Sequence, residues 1–560
     1  MNENINNSCG QLVLQTVKKL YNNVKIANVS ISENGFNADF LTNEKISLND
    51  IPKIEKEIKK LISGGKKFEI IEKLSNPNIF QKELSNSKEK YTFIKVDDFE
   101  NISFYETVPV GKIKFFKITN VGGIYWNNDS KNEQLIRIMG VAFSDKKEFE
   151  EWENFIEDQK QRDHRKIGHE MEIFAFDEKI GQGLPIWLPN GEIVKKQIKK
   201  FLWSIFEKEN FKFVDTPVLG SKELYETSGH WNHYKENNFP PLEIDNETFI
   251  LRPMTCPHHL IVYKQGIHSY KELPYSLCED SKLHRYESSG GLIGLERVRA
   301  MELFDCHIIC KPNDIEGIIT KLDKILNEVY QKMEIKIDRV DLSLHDSKDK
   351  VKYHNDPKMW KTSENQLRNI LKKLNYKPFE IEGEAAFYGP KIDYQAKSNL
   401  GKIITISTIQ LDFLLPEKFE LEYIDENNQK QRPVLIHFGV IGTYERFIAT
   451  LLSQTKGILP FWLVPMQIHI IPINNKFHLY YSKKVFQKLI ENGFRVKIDD
   501  SEERLNKKIR DTQKAKIPYQ IIIGDNEIKN NNISYREYSK QDTKTISLDE
   551  FIKQNKIKNQ

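Results

Sequence analysis

The spacing of apolar residues along the chain predicts helices and strands in distinct regions. In residues 1–143, which mix strand-like and helix-like segments, one helix begins at Ile51-Pro52 and ends at Gly64-Gly65. Its apolar residues recur three or four positions apart, as one buried helical face requires: Ile54, Ile58, Leu61 and Ile62. Residues 144–169 are mostly charged, with a few apolar side chains at helical spacing, which predicts a solvated helix connecting two domains.

The region 170–462 begins with another amphipathic helix, whose apolar positions are Ile198, Phe201, Leu202, Ile205 and Phe206. Strand-like segments then dominate: FILRP, YSLCED, KLHRYE, ELFDCHIIC, KIITISTIQLDFLL and VLIHFGV. Many strands with inserted helices predict a large antiparallel sheet rather than a dinucleotide-binding fold. The sequence contains no glycine-rich phosphate loop, so side chains would have to hold any nucleotide.

Residues 463–560 alternate between strand-like and helix-like segments, beginning with the strand QIHIIPI and returning to a strand at PYQIIIGD. Such alternation is typical of a small α/β domain. The whole pattern therefore predicts an α+β multidomain protein, with domains at 1–143, 170–462 and 463–560.

Composition and charge exclude only a few classes of function. The 84 basic and 80 acidic residues give a net charge of +4, which neither establishes nor excludes a nucleic-acid partner. The polar beginning MNENINNSCG is unlike a secretory signal, and no apolar run approaches the roughly 20 residues that cross a bilayer. Five cysteines, an odd and sparse set, argue against a disulfide framework and favour a reducing cytoplasm, away from membranes.

Four cysteines lie close in sequence to several histidines, between residues 256 and 310. Cys306 and Cys310 would share one strand face and form one possible metal site, although core packing is the default interpretation of such residues.

Two arginine-bearing segments suggest a nucleotide site. Arg285 and Glu287 are two residues apart in a predicted strand, so they would face the same side and could hold a phosphate and an adenine amino group. A surface ion pair is the alternative. In GVIGTYERFIATLL, Gly439 and Gly442 precede a predicted helix that carries Arg446, and glycine there would let a flat ligand approach the backbone.

In this order, and after a helix that runs toward Pro217, these segments resemble the three motifs of class II aminoacyl-tRNA synthetases. The chain is most similar to threonyl-tRNA synthetases, without that family's N-terminal ubiquitin-like domain. The most specific blocks are Thr227–Phe239, Arg252–His259, Ala386–Asp393 and Thr408–Phe413. The resemblance implies an antiparallel catalytic domain, an N-terminal editing-like domain and a C-terminal anticodon-binding domain. It also implies a homodimer, through the motif around Pro217.

By this resemblance, Cys256, His307 and His437 would bind one Zn²⁺ per subunit. One cysteine and two histidines are a known ligand set of catalytic zinc, which keeps positions open for substrate. Zinc could read the amino group and hydroxyl of L-threonine and so reject valine, which lacks the hydroxyl.

The same resemblance assigns the remaining site residues. Arg285, Arg299 and Arg446 would hold ATP, which binds with Mg²⁺, and Glu287 would hold its adenine amino group. Asp305 would receive the threonine amino group or orient its neighbours. The residues near the adenylate and the tRNA 3′ end would be Tyr388, Lys391 and Gln410. His230 would assist proton removal from the terminal ribose hydroxyl, a structural hydrogen bond being the alternative. Leu303 departs from the polar residue that many members have there.

The N-terminal region resembles the editing domain that removes serine from mischarged tRNA-Thr. The family's His-x-x-x-His pair falls on Asn7 and Gln11, and its Cys-x-x-x-His pair falls on Ile102 and Glu106. None of the four required side chains is present, so the sequence predicts an enzyme without its own editing activity.

In the C-terminal domain, alignment with the family pattern suggests Arg495, Glu527 and Arg536 as contacts to the anticodon of tRNA-Thr. Two alternatives remain. One is a synthetase-like paralogue that binds RNA or regulates without acylating. The other is a sister enzyme for proline or serine, which the cysteine and histidine set argues against.

Overall fold

The computed structural model describes residues 2–397, 401 and 403–559, and it divides into two compact units between Asp158 and Gln159. The helices of the first unit are α1 (Glu3–Leu20), α2 (Ile51–Ser63), α3 (Ile79–Leu84) and α4 (Lys146–Gln161), within which the division falls. Its strands are β1 (Lys25–Ser32), β2 (Gly35–Leu41), β3 (Glu69–Ile71), β4 (Thr92–Val96), β5 (Phe99–Ser103), β6 (Phe115–Tyr125) and β7 (Gln134–Phe143).

The first unit packs α1 on an antiparallel sheet of order β1-β2-β7-β6, beside a smaller sheet β3-β4-β5. Residues 5–17 of α1 are all buried, and Gly10 allows this close approach because a Cβ there would lie 2.6 Å from Val29 Cγ1. The predicted helix at 51–63 is confirmed, with Ile54 and Ile58 fully buried.

The second unit begins at Gln159, within the last turn of α4. Its helices are α5 (His164–Glu170), α6 (Pro189–Lys208), α7 (Lys222–Ser228), α8 (His230–His233), α9 (Cys256–Tyr263), α10 (Ile315–Lys332), α11 (Pro357–Lys373), α12 (Leu414–Lys418), α13 (Tyr444–Thr455), α14 (Asn475–Glu491), α15 (Leu505–Lys514), α16 (Asp525–Asn530) and α17 (Leu548–Lys556). Residues 144–169 therefore form two helices instead of the single predicted one, because Asp163 caps a new helix by accepting a hydrogen bond from Arg165 N–H.

The strands of the second unit are β8 (Phe174–Ala175), β9 (Ile186–Trp187), β10 (Lys212–Phe213), β11 (Leu219–Ser221), β12 (Leu242–Ile244), β13 (Glu247–Leu251), β14 (Tyr275–His284), β15 (Ala300–Cys310), β16 (Arg339–Leu344), β17 (Phe379–Glu382), β18 (Lys391–Lys397), β19 (Ile403–Asp412), β20 (Tyr423–Ile424), β21 (Lys430–Gln431), β22 (Val434–Thr443), β23 (Ile468–Pro472), β24 (Val496–Ile498), β25 (Tyr519–Ile523), β26 (Ile533–Glu537) and β27 (Thr543–Ile546).

An eight-stranded sheet of order β10-β14-β15-β22-β19-β18-β16-β17 forms the centre of this unit. It is antiparallel except at its two outermost pairs, which confirms the predicted antiparallel catalytic sheet. One face carries the large apolar core, where α6 buries the predicted residues Ile198, Leu202, Ile205 and Phe206. The opposite face is left for polar side chains.

The C-terminal region forms a separate sheet of order β24-β23-β25-β26-β27. Its first three strands are parallel, with α14 and α15 between them, as predicted, and β26 and β27 extend it in antiparallel fashion. Among the described helices of both units, none is long and apolar enough to cross a membrane.

Candidate functional site

Three side chains on the polar face of the central sheet form a group that can hold a metal ion. Cys256 begins α9, whereas His307 and His437 lie on the neighbouring strands β15 and β22. The ligand atoms of all three residues lie within 4.8 Å of one another, and all three side chains are buried. Within the part of the chain that the structure describes, no other group of three such residues is found.

The strand register explains how distant residues meet at this group. His307 lies directly opposite His437, which lies opposite Gln410, which in turn lies opposite Lys391. Directly paired residues project from the same face of an antiparallel sheet. The next row on that face contains Asp305, Gly439, Thr408 and Asp393. Because Gly439 has no side chain, the floor of the site is open between Asp305 and Thr408.

Hydrogen bonds behind the two histidines orient their rings. His437 Nε2 lies 2.8 Å from Asp412 Oδ2, and His307 Nδ1 lies 2.8 Å from His259 Nδ1. The remaining nitrogens, His307 Nε2 and His437 Nδ1, face each other at 3.0 Å. With protons held on the outer nitrogens, the inner lone pairs point into the group beside Cys256, as metal ligands require.

A buried ion pair supports His259 from behind. His259 Nε2 lies 3.2 Å from Glu279 Oε2, and Arg252 donates to Glu279 Oε1 at 2.7 Å. Burial opposes ionisation of Glu279, but hydrogen bonds from His259, Thr216 and Arg252 outweigh it and lower the pKa of the carboxyl to about 2. Glu279 is therefore an ionised carboxylate at neutral pH.

Burial also changes the ionisation of the residues that line the metal group. It raises the pKa of the Cys256 thiol well above its ordinary value, an effect that a bound cation would reverse. It raises the pKa of Asp305 as well, despite the attraction of His259 and His437. A cation bound at this site would therefore lower the pKa of both Cys256 and Asp305.

His230 lies beside Cys256, with its Nε2 3.6 Å from the Cys256 sulfur. Ser228 donates its hydroxyl to Tyr225 O, so its oxygen, 2.8 Å from His230 Nδ1, is an acceptor for that ring nitrogen. This fixes the proton on Nδ1 and turns the Nε2 lone pair toward the metal group. Burial lowers the pKa of His230 to about 3, so the ring is neutral.

Tyr388 and Gln410 form one wall of the site. The Tyr388 ring stacks on His437 with centroids 4.8 Å apart, and its hydroxyl donates to Gln410 Oε1 at 2.6 Å. Lys391 contacts the carboxylate of Asp393 in the adjacent row. Leu303 lies two residues before Asp305 on β15, opposite Thr443, and its apolar side chain projects from the same face as Asp305.

The predicted nucleotide residues lie at the end of the sheet, but not on a strand. Strand β14 ends at His284, so placing Arg285 and Glu287 on one strand face was wrong. Beyond the strand, Arg285 N–H still donates to Arg299 O at 2.9 Å. The side-chain Nε of Arg285 donates to Pro253 O, and that of Arg299 donates to Glu287 O at 2.9 Å. Arg446, on α13 directly after Gly442, donates through Nε to Glu296 O at 3.2 Å.

The arginines form a concentrated positive field. Burial lowers the pKa of the Arg446 guanidinium, and the nearby charges of Arg285 and Arg297 lower it further. Like charges held close together in this way favour a polyanionic ligand such as a triphosphate.

Two of the four predicted editing positions, Asn7 and Gln11, belong to a hydrogen-bonded polar cluster between α1 and β5. Asn7 and Gln11, both fully buried on α1, donate to Ser103 Oγ at 2.9 Å and to Ile102 O at 3.3 Å. Asn101 donates to Gln11 Oε1 at 2.8 Å. The Ile102 side chain is buried, whereas Glu106 is exposed. These side chains connect α1 to β5, and they offer no imidazole or thiol.

The predicted anticodon contacts are mostly engaged within the protein. Arg495 donates to the carbonyl oxygens of Val464 and Trp462, which argues against its contact with RNA. Glu527 accepts from Gly524 N–H and from the Ser534 hydroxyl. Arg536 donates through Nε to Thr543 Oγ1 at 2.8 Å, and it lines an open cavity of about 740 Å³ with Arg510 and Lys514. A basic cavity of this kind suits a single-stranded loop.

Sequence reasoning missed the residues behind the metal ligands. His259 was visible in the block RPMTCPHH and Asp412 in TIQLDF, but their partners are 48 and 25 residues distant in sequence. Only the strand register brings them together. Cys306 and Cys310, the other metal candidates, are both buried in the apolar core on the far side of the sheet.

Comparison with known proteins agrees with this geometry. Residues 241–455 match the tRNA synthetase class II core domain (G, H, P, S and T), and residues 467–559 match an anticodon binding domain. The chain is 47% identical to a threonine–tRNA ligase of Ureaplasma parvum serovar 3, over 99% of both chains. It is 44% identical to threonine–tRNA ligase 1 of Bacillus subtilis, over 98% of this chain and 87% of that protein.

A solved structure is also similar. The crystal structure of the RNA-binding domain of threonyl-tRNA synthetase from Cryptosporidium parvum Iowa II matches with a TM-score of 0.66 at 35% identity. The match covers 70% of this chain and 97% of that one.

Proposed function

The chain belongs to the threonyl-tRNA synthetase family, and from that premise we propose that it uses zinc at Cys256, His307 and His437 to select L-threonine. A threonine–tRNA ligase joins threonine to ATP and then transfers it to the 3′ end of tRNA-Thr. The observation that carries the proposal is the convergence of one thiol and two inward-facing imidazole nitrogens on an otherwise open polar floor.

The residues present fit zinc. Cysteine and two histidines are a ligand set of catalytic zinc, and each histidine has the outer hydrogen bond that fixes its ring. When bound, zinc would coordinate the amino group and the hydroxyl of threonine. Asp305, which projects from the next row of the same face, is placed to pair with the amino group. Valine would leave a polar ligand position unfilled, so the site would reject it.

For activation, we assign Arg285, Arg299 and Arg446 to the phosphates and adenine of ATP, with Mg²⁺ on the phosphates and Glu287 at the adenine amino group. These groups are positioned before the reaction by the backbone carbonyls that hold them. Fixed positive charge stabilises the negative charge that develops as diphosphate leaves, without a covalent intermediate. Tyr388, Lys391 and Gln410 line the side where the adenylate would lie.

For transfer, we assign His230 as the acceptor of the ribose hydroxyl proton, since its Nε2 lone pair faces the site. The test is His230→Asn, measured in two assays. A proton acceptor predicts slow transfer from preformed adenylate with normal adenylate formation and zinc content. A structural hydrogen bond to Cys256 predicts that adenylate formation and zinc content fall together.

We propose further that the first unit does not remove serine from tRNA-Thr. The support is the set of four positions that carry no general base, two of them engaged in buried hydrogen bonds. Serine keeps the hydroxyl and lacks one methyl group, which is worth only roughly 10–200-fold discrimination. Purified enzyme should therefore form Ser-tRNA-Thr and leave it intact, and rapid deacylation by the enzyme would refute this proposal.

We also propose a cytoplasmic homodimer that reads the anticodon with the cavity around Arg536. All five cysteines are unpaired and buried, as in a reducing compartment. Arg536→Ala should weaken charging through the KM for tRNA without changing threonine activation.

The deciding experiment is ATP–diphosphate exchange with threonine, serine, valine and proline, before and after zinc removal. Threonine should give the highest rate, and chelation should abolish it. Full activity of a zinc-free enzyme would exclude the proposed metal role. Absence of threonine-dependent exchange with zinc bound would favour the non-acylating paralogue.

A further inference from the structure

His164, which lies outside the three synthetase motifs, makes a direct hydrogen bond to the loop that precedes Arg299 and contacts Arg446, two arginines of the proposed ATP site. It is the first residue of α5, and its side chain is 2% exposed. Its Nε2 accepts a hydrogen bond from Leu295 N–H at 3.1 Å. Burial lowers the pKa of His164 to about 4, so the ring is neutral and Nε2 is free of a proton.

Leu295 belongs to a tight turn, the 293–297 turn, in which Ile293 and Arg297 pair as an isolated bridge. The Leu295 side chain is fully buried in the main core, so both its side chain and its N–H are fixed. Gly294 precedes it at φ +47°, and a Cβ there would lie 2.4 Å from His164 Nε2. The turn is therefore shaped to bring its backbone against this histidine.

The 293–297 turn holds the nucleotide residues on both sides. Glu296 O, at its tip, accepts the hydrogen bond from Arg446 Nε at 3.2 Å. Arg299 follows the turn directly, with its backbone N–H donating to Gly183 O at 2.7 Å and its Nε donating to Glu287 O. A shift of the turn would displace Arg446 and Arg299 together.

We propose that His164 is a positioning residue for the ATP site, because its Nε2 fixes the 293–297 turn and so sets the place of the Arg446 and Arg299 guanidinium groups. The inference rests on the proposed function, since it concerns ATP binding in that reaction. His164 does not touch substrate. It acts through the backbone of Leu295 and the carbonyl of Glu296.

The test compares two substitutions of His164 by amide residues whose side chains differ in length. In His164→Gln the amide oxygen can occupy the position of Nε2, whereas in His164→Asn it reaches only the position of Nδ1. We expect the KM for ATP in diphosphate exchange to stay near the wild-type value in His164→Gln. In His164→Asn it should rise about tenfold while the KM for threonine stays unchanged. The matched control is His268→Asn, another buried histidine of the same unit, whose ring bonds Tyr263 O and Glu272.

An equal KM for ATP in the two His164 variants would overturn the inference, as would a rise of both substrates' KM in parallel. Loss of the cooperative melting transition in both variants would also count against it, because glutamine supplies the same acceptor. If the wild-type enzyme shows no threonine-dependent exchange, the proposed function itself fails. If the wild-type enzyme is active and both His164 variants keep its KM for ATP, only this inference fails.

Discussion

Replacing Asp412 by asparagine should weaken zinc binding, although Asp412 is not one of the three proposed zinc ligands. Asp412 is fully buried and accepts three hydrogen bonds. Oδ1 accepts from Leu414 N–H at 2.8 Å and from Leu415 N–H at 2.9 Å, at the beginning of α12. Oδ2 lies 2.8 Å from His437 Nε2. A carboxylate can accept at both oxygens, whereas an amide can accept at only one.

Either orientation of the new amide has a cost. If its oxygen keeps the two backbone N–H groups, its NH₂ group faces His437 Nε2. His437 must then carry its proton on Nδ1, the nitrogen that faces the metal group. If the amide turns around, two buried N–H donors lose their acceptor. Loss of a partner behind a metal ligand typically weakens metal affinity about 10–100-fold, equivalent to about 1.4–2.8 kcal/mol.

The assay is competition with a zinc chelator of known affinity, combined with threonine-dependent diphosphate exchange at saturating and limiting zinc. Asp412→Asn should lose activity at limiting zinc and regain much of it when zinc is added. Glu364→Gln is the matched control, because Glu364 Oε1 lies 2.7 Å from His345 Nδ1 in the same unit, away from the metal group. Unchanged zinc affinity in Asp412→Asn would refute the assignment of the His437 ring.

Three further predictions concern stability. Asn7→Ala removes the amide that donates to Ser103 Oγ and to the Tyr105 carbonyl, although that carbonyl keeps its hydrogen bond from the Ser103 hydroxyl. The change should cost about 1–3 kcal/mol in denaturant unfolding of the first unit, and a cost near zero would show that the polar cluster is not stabilising. Leu202→Ala should cost about 2–5 kcal/mol, because this side chain is fully buried in the main core, whereas alanine at the exposed Lys200 should cost little in the same measurement. Burial raises the pKa of Glu445 from 4.5 to about 7, so its contribution to stability is present below pH 4.5 and is lost as pH rises through about 7. Glu445→Gln should therefore be more stable than the wild type at pH 8, by at most about 3 kcal/mol. Identical pH profiles of unfolding for the two proteins would contradict this prediction.

The parts of the fold that depend on local periodicity could be predicted from the sequence. The stripe from Ile198 to Phe206 buries one face of α6 because residues three and four apart share a helical face. The alternation after residue 463 predicted the parallel part of the last sheet but missed β26 and β27. Those strands, ISYRE and TKTI, are short and carry few apolar residues, so they give little local signal. Strand β26 pairs with β25, and β27 pairs with β26.

The candidate site was predictable only where a family pattern marks individual residues. The identities of Cys256, His307 and His437 came from that resemblance, and the structure adds their convergence. Placing Arg285 and Glu287 on one strand face failed because β14 ends at His284, and the Arg285 side chain donates through Nε to Pro253 O. The environment of Arg495 was hidden for a similar reason, since the carbonyls that bind it belong to a segment about thirty residues earlier.

The polar cluster of the first unit bears on how readily the proposed absence of editing could be reversed. Asn7 and Gln11 are joined to the backbone of β5 and its following loop, so each now contributes to the stability of its own domain. A single change of either residue to histidine would break a buried hydrogen bond at once, while three other groups would still be missing. A single substitution toward the family's editing residues would therefore destabilise the domain without creating a complete editing site. The hydrogen bonds that stabilise the domain thus oppose its return to an editing function.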